Sequence, residues 1–202
     1  MKKMLTAFAA LAVIAAPASA APVVGQPAPN FKLNDADGRV VTLSDFKGKP
    51  VVLEWNNPGC PFVQKHYGSG NMQKTQAAAK AAGAVWLSIN SGGPGEQGHM
   101  NGAEAKAFVA SAKAQPAAYL LDPKGVVGKG YDAKTTPHMY VIDSKGTLVY
   151  AGGIDDKPTA DPADINGARN HVLAALSELK AGKAVSVATS RPYGCNVKYA
   201  KG

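Results

Sequence analysis

Two cysteines supply all the thiol chemistry of this 202-residue chain, Cys60 and Cys195. Cys60 lies in Asn56-Asn57-Pro58-Gly59-Cys60-Pro61-Phe62-Val63, directly after the run Val51-Val52-Leu53-Glu54-Trp55. That run reads as a buried strand, because β-branched and apolar residues fill it apart from one acid. Pro58-Gly59 turns the chain and Pro61 suits the first turn of a helix, so the thiol is predicted to stand at a helix N-terminus. Free N–H groups and the helix dipole there favour a thiolate, the form that attacks a disulfide or a peroxide. Lys65 and His66, one to two turns along, are expected to add positive potential. A buried, inert cysteine is the competing reading.

Glu54 stands six residues ahead of Cys60 inside the apolar strand. Burial there would raise its pKa and let it pass protons to or from a nearby thiol; a glutamate facing solvent from an edge would do neither. Cys195 follows Ser190-Arg191-Pro192-Tyr193-Gly194, a composition that reads as a flexible tail. It suits a mobile resolving thiol that forms a disulfide with oxidised Cys60, and it also suits a structural staple that pins the tail. Metal binding is a third reading. Cys60, His66, His138, His99-Met100 and Cys195 could collect copper or zinc, but no spacing follows a ligand pattern, and His99 and His171 read as surface residues. The expectation is that neither a metal nor another cofactor is bound.

The elements that must position these groups follow from pattern. Phe31-Lys32-Leu33 and Val40-Val41-Thr42-Leu43 flank Asp35-Ala36-Asp37-Gly38, a hairpin signal. After the strand over 51–55, a helix through Val63 to Tyr67 is broken by Gly68-Ser69-Gly70-Asn71 and resumes over 72–82. Residues 84–90 (AVWLSIN) read as a second buried strand, 103–112 as a helix and 117–121 as a short strand. A brief helix ends near Tyr131. Thr136-Pro137 then opens the strand His138 to Ile142, and Asp143-Ser144-Lys145-Gly146 turns into a return strand over 147–151. Residues 153–166 read as a polar loop. A final helix over 168–180 carries Val172, Leu173, Leu176 and Leu179 on one face. Residues 187–202 show little pattern. A parallel core closed by an antiparallel hairpin and a covering helix is an α/β layer architecture.

Residues 1–20, MKKMLTAFAALAVIAAPASA, combine Lys2 and Lys3, a short apolar run and Ala18-Ser19-Ala20. This is the pattern of a cleaved signal peptide, too short to span a bilayer comfortably. The expectation is an exported protein, periplasmic or secreted, without stable membrane insertion. The remainder, roughly 180 residues, makes one domain over 21–186 with a tail over 187–202, large enough for a core that needs no disulfide. The formal net charge of +8 is spread singly along the chain, and only three arginines occur, Arg39, Arg169 and Arg191. Nucleic-acid binding would want a cluster or stripe.

The lead-in GQPAPNFKL, the hairpin DADGRVVTLSDFKGKPVVLEW, the turn NPGCPF, the strand WLSIN and the segment TTPHMYVIDSKGTLVYAGGID resemble the redoxin branch of the thioredoxin superfamily. That branch holds the alkyl hydroperoxide reductase/thiol-specific antioxidant type of peroxiredoxin and exported thiol-disulfide reductases. The resemblance covers about residues 25–180 and is closest to peroxiredoxin-like members with CPFV and a C-terminal Gly-Cys, here Gly194-Cys195. It implies a thioredoxin-like fold with a central mixed sheet flanked by helices and an N-terminal β-hairpin. It also implies Cys60 as the attacking cysteine, Glu54 as the buried acid, and Thr136-Pro137 as the cis-proline step whose preceding backbone pairs with a substrate's extended chain. The implied partners are a thiol or disulfide protein or a peroxide, and an external reductant. Three positions depart from the pattern. Val63 replaces the second cysteine of a CxxC motif, while Leu53 and Asn57 replace the proline and the threonine or serine that peroxiredoxins place seven and three residues before the cysteine. The rival class is a non-catalytic binding module in which Cys60–Cys195 is a permanent disulfide.

Overall fold

A computed structural model describes residues 21–201; the signal-peptide expectation for residues 1–20 lies outside them. The N-terminal hairpin forms as the pattern requires, with β1 (Lys32–Asp35) antiparallel to β2 (Val40–Thr42). Its turn is fastened by the buried Asp35 carboxylate, which accepts from the Asp37 and Arg39 N–H groups and from Arg39 Nε. Burial pushes the Asp35 pKa up, but these three N–H donors and the Arg39 charge outweigh it, and the pKa ends lowered.

The centre of the sheet is β3 (Val51–Trp55), buried along its whole length. It pairs in parallel with β4 (Val85–Asn90), which pairs in parallel with β5 (Ala118–Leu121). On its other side it meets β7 (His138–Ile142) in antiparallel register, and β7 turns into β8 (Leu148–Gly152). The seven strands lie in the order β2-β1-β5-β4-β3-β7-β8. Parallel neighbours need crossovers, supplied by α1 (Pro61–Gly68) with α2 (Asn71–Ala81) and by α3 (Gly102–Ser111). Asn101 and Glu104 cap α3 reciprocally, the Asn101 side chain taking the Glu104 N–H at 3.0 Å and Glu104 reaching back to the Asn101 N–H at 2.7 Å. Gly70, in the left-handed conformation at φ 76°, separates α1 from α2 where the Gly-Ser-Gly interruption predicted a break.

The pleat sorts β3 between two apolar cores, since side chains alternate faces along a strand. Val51, Leu53 and Trp55 enter one core with Leu87, Ile89, Tyr131 and Tyr140. Val52 enters the other with Cys60, Val63, Tyr67, Trp86 and Val141, and Glu54 shares this face, beneath α1. A short helix, α4 (Val126–Gly130), follows β5, and the last helix, α5 (His171–Lys180), covers the same face as Glu54 through Val172, Ala175 and Leu176. Leu173, predicted on the apolar stripe, is only partly buried, because Ala175 rather than residue 173 lies a turn from Val172 and beside Leu176. His171, expected at the surface, is buried at the start of α5 with its ring 5.9 Å from that of Tyr150.

The tail is the largest difference from the sequence reading. Residues 187–201 do not hang free. Ser190 N–H bonds to Ala151 O, and Ser190 Oγ takes the Gly153 N–H at 3.0 Å. Tyr193 is buried, and Cys195–Asn196 forms a strand, β9, antiparallel to β6 (Thr135–Thr136) just before β7. Further on, Val197 N–H meets Lys134 O, Lys198 O takes the Gly93 N–H, and Tyr199 OH donates to Ala133 O at 2.7 Å. The polar loop over 153–166 is also more structured than its composition implies, with Ile154 fully buried and a short 3-10 turn over Pro162–Ile165. No helix among the described residues is long and apolar enough to cross a membrane.

Candidate active site

Cys60 is placed by the turn its neighbours dictate. Asn57 Oδ1 takes the Gly59 N–H at 2.9 Å and Asn57 O takes the Cys60 N–H at 3.0 Å, a side-chain and a backbone bond that reverse the chain after β3. Cys60 is the N-cap of α1, with extended backbone, Pro61 at the first helical position and its carbonyl accepting the first intrahelical bond from Gln64 N–H. Its Sγ therefore lies over the open N–H groups of α1.

Only 1% of Cys60 is exposed, and its sulfur is fully engaged. As a thiol it donates to Thr136 O at 3.0 Å, and it faces the Cys195 N–H at 3.4 Å. The tail has thus carried Cys195 across 135 sequence positions to the cysteine at the helix start. Both cysteines are free thiols. Burial is the largest single influence on Cys60 and pushes its pKa up; together the Cys195 thiol, the Val63 and Cys195 N–H groups and the Thr136 side chain overcome it, and the pKa ends below the ordinary thiol value. For Cys195, burial and then the neighbouring Cys60 sulfur act together and push it up to about 11. The two shifts run in opposite directions and make Cys60 the more acidic sulfur of the pair. Cys195 is nevertheless the more open of the two, only partly buried where Cys60 is closed off.

Gly194 makes this approach feasible. Its φ of 136° lies where a side chain is strained, and a Cβ there would overlap Thr136 O. The Thr136-Pro137 peptide bond is cis, and Thr136 is the residue that pairs with Cys195. The edge that the family resemblance implies for a substrate is thus occupied by the chain's own tail.

Glu54 is fully buried, as the functional-acid reading required, but its bonds go elsewhere. Oε1 accepts from Asn56 Nδ2 at 2.8 Å and Tyr67 OH at 2.9 Å, and Oε2 from Trp86 Nε1 and Ser88 Oγ, both at 2.8 Å. Burial raises its pKa, against the opposing pull of these four donors. None of its hydrogen bonds reaches Cys60.

Lys65 and His66 do not supply the positive potential expected of them. Lys65 Nζ donates to Lys157 O at 2.9 Å and lies 5.8 Å from the centre of the Tyr193 ring. His66 is wholly buried, and burial pushes its pKa down to about 4, so it is neutral at ordinary pH. Its Nδ1 takes an Asn71 Nδ2 proton at 2.8 Å, which leaves Nε2–H to donate to Tyr193 OH at 3.1 Å. Tyr193 OH in turn donates to Asp155 Oδ1 at 2.5 Å. The motif CPFVQKH thus anchors the tail rather than charging the thiol. Tyr193 and Asp155 are the residues that the sequence reading missed; a tyrosine two positions before the distant cysteine was the available signal. Among the described residues, no three His, Cys, Asp or Glu side chains gather as metal ligands.

Burial likewise pushes His138 down to about 4. A histidine whose folded pKa lies below its unfolded value of about 6.5 is protonated first in the unfolded chain. Its contribution to stability is therefore complete above about pH 6.5 and is lost as pH falls toward 4. We expect the melting temperature to decline through that window, with His66 and His138 each contributing up to one proton to the slope. His138 Nδ1 accepts from the Lys134 N–H and meets Tyr140 OH, so His138→Gln can keep an acceptor there and should flatten the decline. An unchanged slope in thermal melts of that variant would remove His138 from the account.

A β-α-β core closed by an antiparallel hairpin, with a cysteine at the start of the first crossover helix facing the residue before a cis-proline, defines a thioredoxin-like protein of the redoxin type. Residues 24–151 match the AhpC/TSA family, and the chain belongs to that family. It is similar to the chloroplastic peroxiredoxin Q of Triticum aestivum, 32% identical over 137 residues that make up 62% of this chain and 57% of the relative. The chain spans little more than half, or less, of the length of the peroxiredoxin Q relatives it matches. Among solved structures, a hypothetical protein, SMc02350 from Sinorhizobium meliloti 1021, superposes with a TM-score of 0.73 at 27% identity, covering 91% of this chain and 98% of that one. A structure described as a thiol:disulfide interchange protein, DsbE, from Chlorobium tepidum gives a TM-score of 0.54 at 27% identity, covering 65% of this chain and 85% of that one.

Proposed function

We propose that the protein is an exported thiol oxidoreductase whose Cys60 and Cys195 cycle between a dithiol and an intramolecular disulfide. The observation that carries this reading is the docking of the tail on Cys60 at the start of α1, where the Cys195 N–H lies 3.4 Å from Cys60 Sγ and both thiols are free, with opposite shifts in acidity. Cys60 is the more acidic sulfur and Cys195 the one whose thiol holds its proton more tightly. Oxidation removes two electrons and two protons from the pair and forms one S–S bond, while an external disulfide takes them up as two thiols. Family membership and the interchange-protein neighbour support the same class. Export rests on the pattern of residues 1–20.

Disulfide exchange is favoured over peroxide reduction by what surrounds the sulfur. Asn57 turns its side-chain oxygen to Gly59 N–H and its nitrogen to Gln97, and Leu53 is packed in the opposite core. Neither places a hydroxyl or a fixed ring at the position from which peroxiredoxins address the sulfur, and the groups gathered around Cys60 are the Thr136 carbonyl and side chain, the Val63 and Cys195 N–H groups and the neighbouring thiol.

The test compares reduced wild type with Cys60→Ser and Cys195→Ser, each given stoichiometric hydrogen peroxide or a small mixed disulfide, followed by intact mass and thiol titration. Fast, reversible loss of two thiols in wild type with the disulfide is expected. Rapid sulfenic acid on Cys60 in Cys195→Ser would assign a peroxidase instead. A Cys60–Cys195 disulfide that forms once and resists mild reductants would leave a structural staple and end the enzyme reading.

A further inference from the structure

The dithiol carries a mismatch. The sulfur with the lowered pKa is the closed one, and the sulfur within reach of solvent is its partner. The cause lies in the fold, because β9 occupies the open edge of β6 directly over Cys60. Thr136 pairs with Cys195, and the Thr136 carbonyl accepts from Cys60 Sγ. An incoming extended polypeptide that sought the Thr135–Thr136 edge would find it taken, whereas Asn196 beside Cys195 is exposed.

Accepting the redox pair proposed above, we infer that β9 is a built-in occupant of the docking edge, so that an outside thiol reducing the disulfide attacks Cys195 and Cys60 is the sulfur released. The attacking thiolate bonds to Cys195 Sγ as the Cys60–Cys195 bond breaks, and Cys60 takes the electron pair. The Val63 and Cys195 N–H groups stabilise that leaving thiolate, and a leaving sulfur of low pKa departs faster. A second outside thiol then attacks the outer sulfur of the mixed disulfide. It forms a new external disulfide and releases Cys195, which takes a proton from water. Two outside thiols have been oxidised and one protein disulfide reduced. The same occupancy sets specificity. Partners that need only a sulfur, small thiols and disulfides or an exposed cysteine on a protein surface, react in preference to those that must lay an extended strand along β6.

The test uses the oxidised full chain and glutathione as the probe. Limiting glutathione is added, exchange is quenched in acid, free thiols are alkylated in denaturant, and peptides are mapped. We expect the glutathione adduct on Cys195 and the alkyl label on Cys60, in excess over the reverse arrangement by at least about tenfold. Gly194→Ala, which pushes β9 off Thr136, is expected to move adducts to Cys60 and to raise the rate with insulin disulfides relative to oxidised glutathione. Adducts mainly on Cys60 in wild type, or reduction proceeding with no Cys195 adduct, would overturn the inference while leaving the redox pair intact. A wild type that reduces insulin as readily as Gly194→Ala does would overturn the specificity. If no disulfide interconverts at all, the redox pair itself fails, an outcome that the thiol titration reports separately.

Discussion

Glu54→Ala should lower the unfolding free energy by about 2–4 kcal/mol, the largest stability loss expected from any single side chain discussed. The carboxylate is fully buried and gathers Asn56 Nδ2, Tyr67 OH, Trp86 Nε1 and Ser88 Oγ. Removing it leaves the Asn56 and Trp86 N–H groups as buried donors without an acceptor, since neither can turn into an acceptor. The two hydroxyls can redirect, and the cost of burying the carboxylate is recovered, which keeps the loss below a simple sum of bonds. Glu54→Gln separates fold from chemistry. It preserves shape and one carbonyl acceptor but points an NH2 at donors, and should cost about 1–3 kcal/mol. Urea unfolding measures both. The two roles assigned to this acid then part. An acid that relays protons to Cys60 should shift the thiol's titration when converted to the amide. A structural acid bonded only to Asn56, Tyr67, Trp86 and Ser88 should leave it in place, and the latter is expected.

The raised pKa of Glu54 also has a sign. A carboxyl whose folded pKa exceeds the unfolded value favours folding most when protonated, so its contribution is present below about pH 4.3 and is lost as pH rises through the folded pKa. This runs opposite to the loss of histidine-linked stability on acidification, and Glu54→Gln removes it alone. Comparing stability against pH for wild type and Glu54→Gln should show the wild type losing relative stability as pH rises from about 4. A flat difference would mean that the four donors fully offset the burial.

How much of this was legible follows from which signals are local. The strand over 51–55, the Pro-Gly turn and Pro61 fixed Cys60 at a helix start because each acts within a few residues. The acid at 54 could be placed on a buried strand, while the face it shares with Val52, away from Leu53 and Trp55, came from the structure. Its partners could not be read, because Trp86 and Ser88 meet it through the parallel register of β3 and β4, which no local pattern states. Lys65 and His66 misled for the same reason. Their charge was counted by distance along a helix, whereas the tail and the loop at 155–157 decided where they point and whether the imidazole is charged. The tail itself was misread from composition. Its docking is written in scattered pieces: Tyr193 and Tyr199 as anchors, and glycines that clear space for them. A Cβ on Gly128 would lie 2.7 Å from Tyr199 OH.

Gly194→Ala should slow formation of the Cys60–Cys195 disulfide by at least roughly tenfold while the body of the protein stays folded. A methyl group at this position meets Thr136 O, and a backbone oxygen already holding Cys60 Sγ cannot move aside as a flexible side chain would. The left-handed region at φ 136° adds backbone strain for alanine. The cheaper response is for β9 to leave β6. Upstream, the tail remains fixed by Tyr193 OH on Asp155, and downstream by Tyr199 OH on Ala133, so Cys195 becomes a tethered loop rather than a free end. Tethered sulfurs still meet, but at the effective concentration of a flexible linker instead of held contact. The disulfide then becomes easier to reduce, about 30 mV for each tenfold in the equilibrium. Disulfide formation in a glutathione redox buffer measures both rate and equilibrium, and Tyr199→Ala provides the control. Removing that anchor loosens the end of the tail without touching the Thr136 contact, so it should slow the reaction less than Gly194→Ala. If Gly194→Ala oxidises as fast as wild type, the pairing of β6 with β9 is not what brings the sulfurs together.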